Sequence, residues 1–464
     1  MLGKIIRSIG LVLKKNLGRD DKKHVPVNFE TIETWPLEVV LTGKGYINDI
    51  ECEGNIFIRR DQVFPNDNAV SGNLREALKS KIINTRMLRD PFAQPRSSKY
   101  SELLNHFVEN AKIPDTWRYA GLYYAGYSLE QHQYILPSWI WTNGIIVQYL
   151  ADSGRLEAAL DLASRLLEQQ LSCGGWVVRY DYKDLQTGVS PVVAPNDSAH
   201  CADHGMLSAY TLSGDTKYLA AAEKCANWIM TEGNIDGLIL HGYNVMKNRW
   251  DTEFNIVDIG FSAGLFCSLY KLTDNRDYLD FAGRFLSRYI EVFYSGNGIF
   301  ATSMRGNIPF GKGIFARGHA WALQGMIPYY ELTSDYAIGK CIDDTVDFLL
   351  KRQHRNGGWL YNLRSDPVGW FSGYDNKGIP VIAASLARWK KSRPEKGREI
   401  DDAVRSAINW CRRHTRKSPP GRGGVFACNF EGAIVHSPNT EVAFVYSNCY
   451  LLGLMRKYDW DYDL

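Results

Sequence analysis

The sequence predicts an all-α fold, an (α/α)6 barrel with a small β-containing N-terminal appendage. Three observations predict it. A unit of about 60 residues repeats, as in stacked or closed arrays of one supersecondary element. Its marker is a short polar turn between two helical patterns: Ser213-Gly214-Asp215-Thr216-Lys217-Tyr218-Leu219, Thr273-Asp274-Asn275-Arg276-Asp277-Tyr278-Leu279 and Thr333-Ser334-Asp335-Tyr336, with a weaker copy at Asp152-Ser153-Gly154-Arg155-Leu156. The helical patterns alternate between one kind that is apolar nearly all round and another with a single apolar stripe. A glycine turn then leads into an apolar residue after each striped pattern: Gly174-Gly175-Trp176, Gly237-Leu238-Ile239, Gly298-Ile299-Phe300, Gly357-Gly358-Trp359 and Gly424-Val425-Phe426.

In chain order, residues 1–98 form the appendage. Met1 to Leu17 is basic and apolar by turns, with Ile5, Ile6, Ile9, Leu13 and Leu17 on one side and Lys4, Arg7, Lys14 and Lys15 as cations. Such a segment can lie on an anionic membrane surface, so residues 1–18 are expected to give peripheral membrane association of a cytoplasmic protein, against an ordinary N-terminal helix as the plainer reading. Arg7 interrupts any signal-peptide core, and no run is long enough to span a bilayer. Residues 37–47 and 55–60 read as short strands, and Asp90 to Ser98 as a linker. The barrel is expected over 99–464. Its inner helices fall at 139–150, 198–213, Ile256 to Leu269, 317–332, 378–390 and Glu441 to Met455. Its outer helices fall at 101–112, 155–170, 216–231, the stripe Tyr278, Phe281, Ala282, Phe285 and Tyr289, 336–353 and 398–414.

Composition narrows the function. The formal net charge of +3 implies no nucleic-acid partner. Nine cysteines without a CxxC pair or zinc spacing read as reduced thiols. No glycine-rich phosphate loop occurs, and neither a metal nor a cofactor is expected. His200 and His204 are spaced to chelate, but no third ligand is evident. The aromatic content of 12%, with 13 Trp and 26 Tyr, suits core packing and also the stacking surfaces of carbohydrate sites. Gln170 to Trp176 and Gln353 to Trp359 both spell QxxxGGW. That string also occurs in terpene cyclases, but the DxDD-type acid motif is absent, so these segments read as repeat corners.

The long connections precede the inner helices, so inner-helix starts face one cavity. The residues gathered there are Trp139, Trp141, Thr142 and Asn143; Asp197, His200, Asp203 and His204; Trp250 and Asp258; Arg317, His319 and Trp321; Asp375, Asn376 and Lys377; and Asn439 and Glu441. Carboxylates, an arginine, histidines and tryptophans on one rim suit an acidic oligo- or polysaccharide. Asp258, flanked by Ile256, Val257, Ile259 and Phe261, is costly unless satisfied or used. Asp203 also reads as a helix cap, Arg317 as a structural ion-pair partner, His319 as a core histidine, and Trp141 and Trp321 as packing aromatics.

Ile140-Trp141-Thr142-Asn143-Gly144, Ala202-Asp203-His204-Gly205-Met206, Ile256-Val257-Asp258-Ile259-Gly260-Phe261, Ala316-Arg317-Gly318-His319-Ala320-Trp321 and Tyr374-Asp375-Asn376-Lys377 occur in that order. The set resembles the unsaturated glucuronyl and unsaturated rhamnogalacturonyl hydrolases, glycoside hydrolase families 88 and 105, over about 130–395 of this chain. The resemblance implies a two-aspartate mechanism, in which one carboxyl protonates the C4=C5 bond of an unsaturated uronyl group and activates water for attack at C5. It implies Asp203 and Asp258 as the pair, with Asp197 competing for the place of Asp203 if the register shifts. It places Arg317, His319 and Trp321 against the sugar, with Trp141, Asn143, His200, His204, Trp250 and Asp375 completing the pocket. Two alternatives stay open: a uronate C5-epimerase or polysaccharide lyase of capsule or exopolysaccharide assembly, with Tyr243, Tyr374, His319 or His204 as base, and a non-catalytic glycan-binding barrel.

Overall fold

The computed structural model describes residues 99–458 except 115–118, 130–131, 136–137, 181–191, 245–248, 252–254, 301–302, 306–307, 311–314, 361–362, 364–373 and 427–441, together with four short strands in the N-terminal part. Those strands, Val40–Thr42, Gly45–Ile47, Ile50–Cys52 and Asn55–Phe57, pair antiparallel, first with fourth and second with third. Residues 1–18, on which membrane association was expected, lie outside the described residues. No helix among the described residues is long and apolar enough to cross a membrane.

Among the described residues twelve helices follow, besides a short 3-10 turn at Pro394–Lys396. The outer set is α1 (Tyr100–Glu109), α3 (Leu156–Glu168), α5 (Thr216–Thr231), α7 (Arg276–Phe293), α9 (Tyr336–Arg352) and α11 (Gly397–His414). The inner set is α2 (Ile140–Asp152), α4, α6, α8 (Ala316–Thr333), α10 (Gly378–Trp389) and α12 (Val445–Tyr458). Two inner helices are composite: α4 runs Pro195–His200, then a π-helical Cys201–Leu207, then Ser208–Ser213, and α6 opens with a 3-10 stretch, Val257–Ser262, before Ala263–Thr273. Each inner helix packs on the next, and α12 packs on α2, which closes the ring. Inner helices are apolar all round because neighbours cover every side. Outer helices bury only one stripe, as Tyr278, Phe281, Phe285 and Tyr289 do in α7.

The repeated polar turns are now explicable. In each, a hydroxyl near the inner helix's end donates back to the carbonyl four residues earlier: Ser213 to Ala209, Thr273 to Leu269 and Thr333 to Tyr329, at 2.7–2.9 Å. The same hydroxyl accepts the backbone N–H of the residue two positions on, namely Asp215, Asn275 or Asp335. The residue between them is left-handed, with φ of 70° at Gly214, 55° at Asp274 and 54° at Ser334. The following Asp or Asn caps the outer helix by accepting from Lys217, Asp277 or Ile338. One hydroxyl and one carboxylate or amide thus reverse the chain within two or three residues.

The QxxxGGW segments are corners of the other type. Gln170 donates to the carbonyls of Gly174 and Ala221, both at 2.8 Å, and Gln353 to those of Gly357 (3.0 Å) and Ala403 (2.8 Å). Trp176 and Trp359 donate their indole N–H groups to Leu166 and Leu349. Gly174 and Gly357 have φ of 107° and 92°, and a Cβ at Gly357 would collide with the Ser406 carbonyl. Gln353→Ala is expected to destabilise the protein by about 1–3 kcal/mol, since two buried carbonyls lose their donor. Denaturant unfolding of the folded variant checks this, and an unchanged midpoint would contradict the account.

At the end opposite the polar turns, the QxxxGGW corners open long connections that carry small antiparallel sheets. Strand Val442–Phe444 pairs with Gly126–Ser128, which pairs with Gln133–Ile135, so the last inner helix is tied to the start of the ring. This leaves one end of the barrel built from tight corners and the other from loops.

Candidate active site

The site is built at the loop end by the first turns of the inner helices. Asp197 sits in the first turn of α4, directly after Pro195 opens the helix. Burial, followed by the charge of Asp258, pushes its carboxyl from 3.8 up to about 8. Asp258 lies in the first turn of α6 and faces Arg317 of α8, Nη2 to Oδ2 3.9 Å, with side-chain exposures of 26% and 14%. Asp375, 3% exposed, precedes α10, and its carbonyl accepts the N–H groups of Gly378 and Ile379. Its Oδ2 has no hydrogen-bond partner among the described residues. The approach to Arg317 is close here: a Cβ at Gly378 would sit 2.5 Å from Asp375 Oδ2 and 3.0 Å from Arg317 Cβ.

Beneath these charges lies an aromatic floor. Phe444, Trp139, Trp141 and His200 stack in a row, with successive ring centroids 6.1, 5.9 and 5.7 Å apart and planes within 18°. Phe261 lies 4.2 Å from His200, and Trp321 meets Trp141, His200 and Phe261 edge-on. Tyr446 closes on Trp141 at 4.7 Å. The Lys377 ammonium lies 4.2 Å over the Phe444 ring. His200 is 2% exposed, neither ring nitrogen has a partner among the described residues, and burial holds it neutral. A desolvated floor of this kind raises the carboxyl above it.

The expected residues divide into three groups. Asp258, Arg317, Trp141, Trp321, His200 and Asp375 stand at or under the loop end. Asn143 and His319 are engaged inside the fold, which corrects the expectation that they reach a sugar. Asn143 accepts from Tyr123 N–H (2.8 Å) and donates to Ser138 Oγ (3.0 Å) and the Trp139 carbonyl (2.7 Å). His319 accepts from Phe300 N–H at 3.1 Å, and its other nitrogen bonds the Phe315 carbonyl at 2.7 Å. Burial lowers it to about 4. Trp250 stacks on Trp228 of outer helix α5 at 5.4 Å, so it serves as wall packing.

Asp203 and His204 form the third group. The helix starts at Pro195, earlier than the pattern from 198 suggested, so Asp203 is six residues beyond Asp197, about 9 Å deeper at helical rise. It lies in the π-helical stretch, where its carboxylate points at Gly264. The aspartate facing Asp258 is therefore Asp197. His204 bonds Gln148 at 2.6 Å, also below the floor. Phe261, Phe444 and Tyr446 line the candidate site without having been singled out, and Lys377 stands over Phe444 on the rim where it was expected. Phe261 was findable, because it follows Asp258 by three residues as His200 follows Asp197. Asn439 and Glu441 lie outside the described residues. Among the described residues no group of three His, Cys, Asp or Glu side chains is placed to hold a metal ion.

The fold and this loop-end pocket define an (α/α)6 barrel with paired carboxyl groups over an aromatic floor. No family model matches the chain, and no curated protein matches it. Solved structures do. An unsaturated glucuronyl hydrolase specific for heparin aligns with TM-score 0.58 and 14% identity, over 84% of this chain and 97% of its own. The unsaturated glucuronyl hydrolase of Bacillus sp. GL1, responsible for glycosaminoglycan degradation, aligns with TM-score 0.58 and 15% identity, over 77% and 96%. The cellobiose 2-epimerase of Spirochaeta thermophila aligns with TM-score 0.59 and 12% identity, over 83% and 98%. At such identities the likeness establishes the shared barrel.

Proposed function

We propose that the protein is a carbohydrate-active enzyme that hydrates the C4=C5 bond of an unsaturated uronyl group at the end of an acidic saccharide. The observation that carries this reading is the Asp197 carboxyl, raised to about 8 by burial and by Asp258. A carboxylic acid kept protonated near neutrality is what enol-ether protonation requires. Asp197 gives its proton to C4, leaving a cation shared by C5 and the ring oxygen. Water then forms a bond to C5 and returns a proton to the Asp197 carboxylate, so the acid is restored. The product is a hemiketal that opens and releases the neighbouring sugar. Asp258 keeps Asp197 protonated and stabilises the cation. Arg317 orients Asp258 and attracts the substrate carboxylate. Trp141 and Trp321 exclude water from the ring's apolar face. Two of the structures that share the barrel are named for this reaction class, which supports the reading.

The uronate epimerase or lyase reading needs an available base, and the structure engages two of those considered. His319 is bonded on both nitrogens, and the Tyr374 hydroxyl bonds His354 (3.0 Å) and Asn356 (2.8 Å). The test is loss of the ultraviolet absorbance of the conjugated double bond when lyase-made oligosaccharides are added. Decay above blank on at least one unsaturated uronide is expected. No decay across the panel, with deuterium entering C5 of a saturated uronan, would replace hydration by epimerisation. Tight glycan binding without either reaction would leave a binding barrel.

A further inference from the structure

Below the aromatic floor the ring of inner helices holds a second polar cluster, of Gln148, Asp203, His204, Gln324 and Tyr450. These five side chains come from α2, α4, α8 and α12 and lie deep between the inner helices: burial is the main cause that lowers His204 and raises Tyr450. Yet each is partly exposed, whereas His200, Phe261 and Trp321 above them are buried. Partial exposure at this depth means that a solvent-sized chamber adjoins these side chains beneath the floor.

Its hydrogen-bonding groups are half used. Tyr450 donates to Gln324 Oε1 at 3.2 Å, and His204 Nδ1 bonds Gln148 Oε1 at 2.6 Å. Neither amide NH2 group has an acceptor among the described residues, and Asp203 makes no hydrogen bond or ion pair there. The Asp203 carboxylate packs against the bare Cα of Gly264, where a Cβ would stand 3.0 Å from its Oδ2. Trp321 and Tyr450, 6.3 Å apart, supply an aromatic wall. Arg388, whose charge acts on His204, is held by Glu331 through two bonds of 3.0 and 2.6 Å.

We infer that this chamber is a second binding site, distinct from the loop-end pocket, for a neutral polyhydroxylated molecule of monosaccharide size. One carboxylate, two carboxamides, an imidazole and a phenol mix acceptors and donors, as a polyhydroxylated ligand requires. An anion is disfavoured by the unpaired Asp203 and by the lack of a cation among the lining residues. The inference does not rest on the reaction proposed above, and its test uses no turnover.

The test is calorimetric titration of the full chain with glucose, galactose and mannose, repeated on Gly264→Ala, Gln324→Met and Asp258→Asn. Gly264→Ala presses a methyl on the Asp203 carboxylate and displaces it, and Gln324→Met keeps size while removing the amide. At least one sugar is expected to bind the wild type and Asp258→Asn alike, with Kd raised tenfold or more in both chamber variants. Absence of binding up to tens of millimolar would overturn the inference. So would binding that survives in folded Gln324→Met and Gly264→Ala but is lost in Asp258→Asn, since the sugar would then sit at the loop end. If Gly264→Ala fails to fold, Gln324→Met alone decides.

Discussion

Asp197→Asn is expected to cut turnover of an unsaturated uronide by about 10²-fold or more, the scale of a lost general acid, while making the protein more stable. Both follow from one cause. The folded carboxyl titrates at about 8 against an ordinary 3.8, so between those values the folded state holds a proton that the unfolded chain has released. Stability therefore falls as pH rises from about 4 to about 8 and changes no further from this group above that. The amide carries no such cost. Its gain over the wild type should be full above pH 8 and vanish below pH 4. Wild-type turnover should decline above about pH 8 as the acid ionises. Denaturant midpoints at pH 4, 7 and 9 together with a pH–rate profile check all of this. A destabilised Asp197→Asn at pH 9, or one with wild-type turnover, would remove Asp197 from the acid's role.

Asp258→Asn should cost a similar factor in turnover and, in addition, move the alkaline limb of the residual activity to lower pH. The charge of Asp258 is the second cause of the raised Asp197 value, and removing a like charge lets Asp197 ionise earlier. The double variant should be little worse than the worse single, because the two act as a unit. A limb that stays in place in Asp258→Asn would mean that burial alone sets Asp197, and additive losses would separate the residues. Asp203→Asn should leave turnover within a few-fold of wild type, since its carboxylate lies beneath the floor.

The barrel was legible because its determinants are local and periodic. Each hydroxyl–left-handed–cap corner is written in three consecutive residues, and the inner–outer alternation follows directly from how many sides of a helix are covered. The site was legible by ring position and less so by depth. Asp258 and Arg317 could be placed at the loop end from sequence because each lies in the first turn of its helix. Asp203 was set too near the loop end because helical periodicity first becomes visible at 198, whereas Pro195, favoured in a first turn, opens α4 three residues earlier. Asn143 and His319 looked available because sequence shows a donor's type without its partner. Their partners, Tyr123 N–H and Phe300 N–H, lie about 20 residues away in segments whose course is set by tertiary packing.

The π-helical stretch Cys201–Leu207 gives α4 a place where one residue can be gained or lost. A π-turn encloses one more residue per hydrogen-bonded ring than an α-turn. Shortening 201–207 by one would let that stretch relax to an α-helix while Pro195 still anchors Asp197 and the Ser213-Gly214-Asp215 corner still anchors the far end. Only the intervening side chains would rotate, by roughly 100° for one helical residue. Asp203 and His204 would leave the axis and Asp197 would not. A single-codon change would thus rewrite the polar cluster below the floor while Asp197 keeps its place at the loop end, so the two levels of one helix are able to diverge separately.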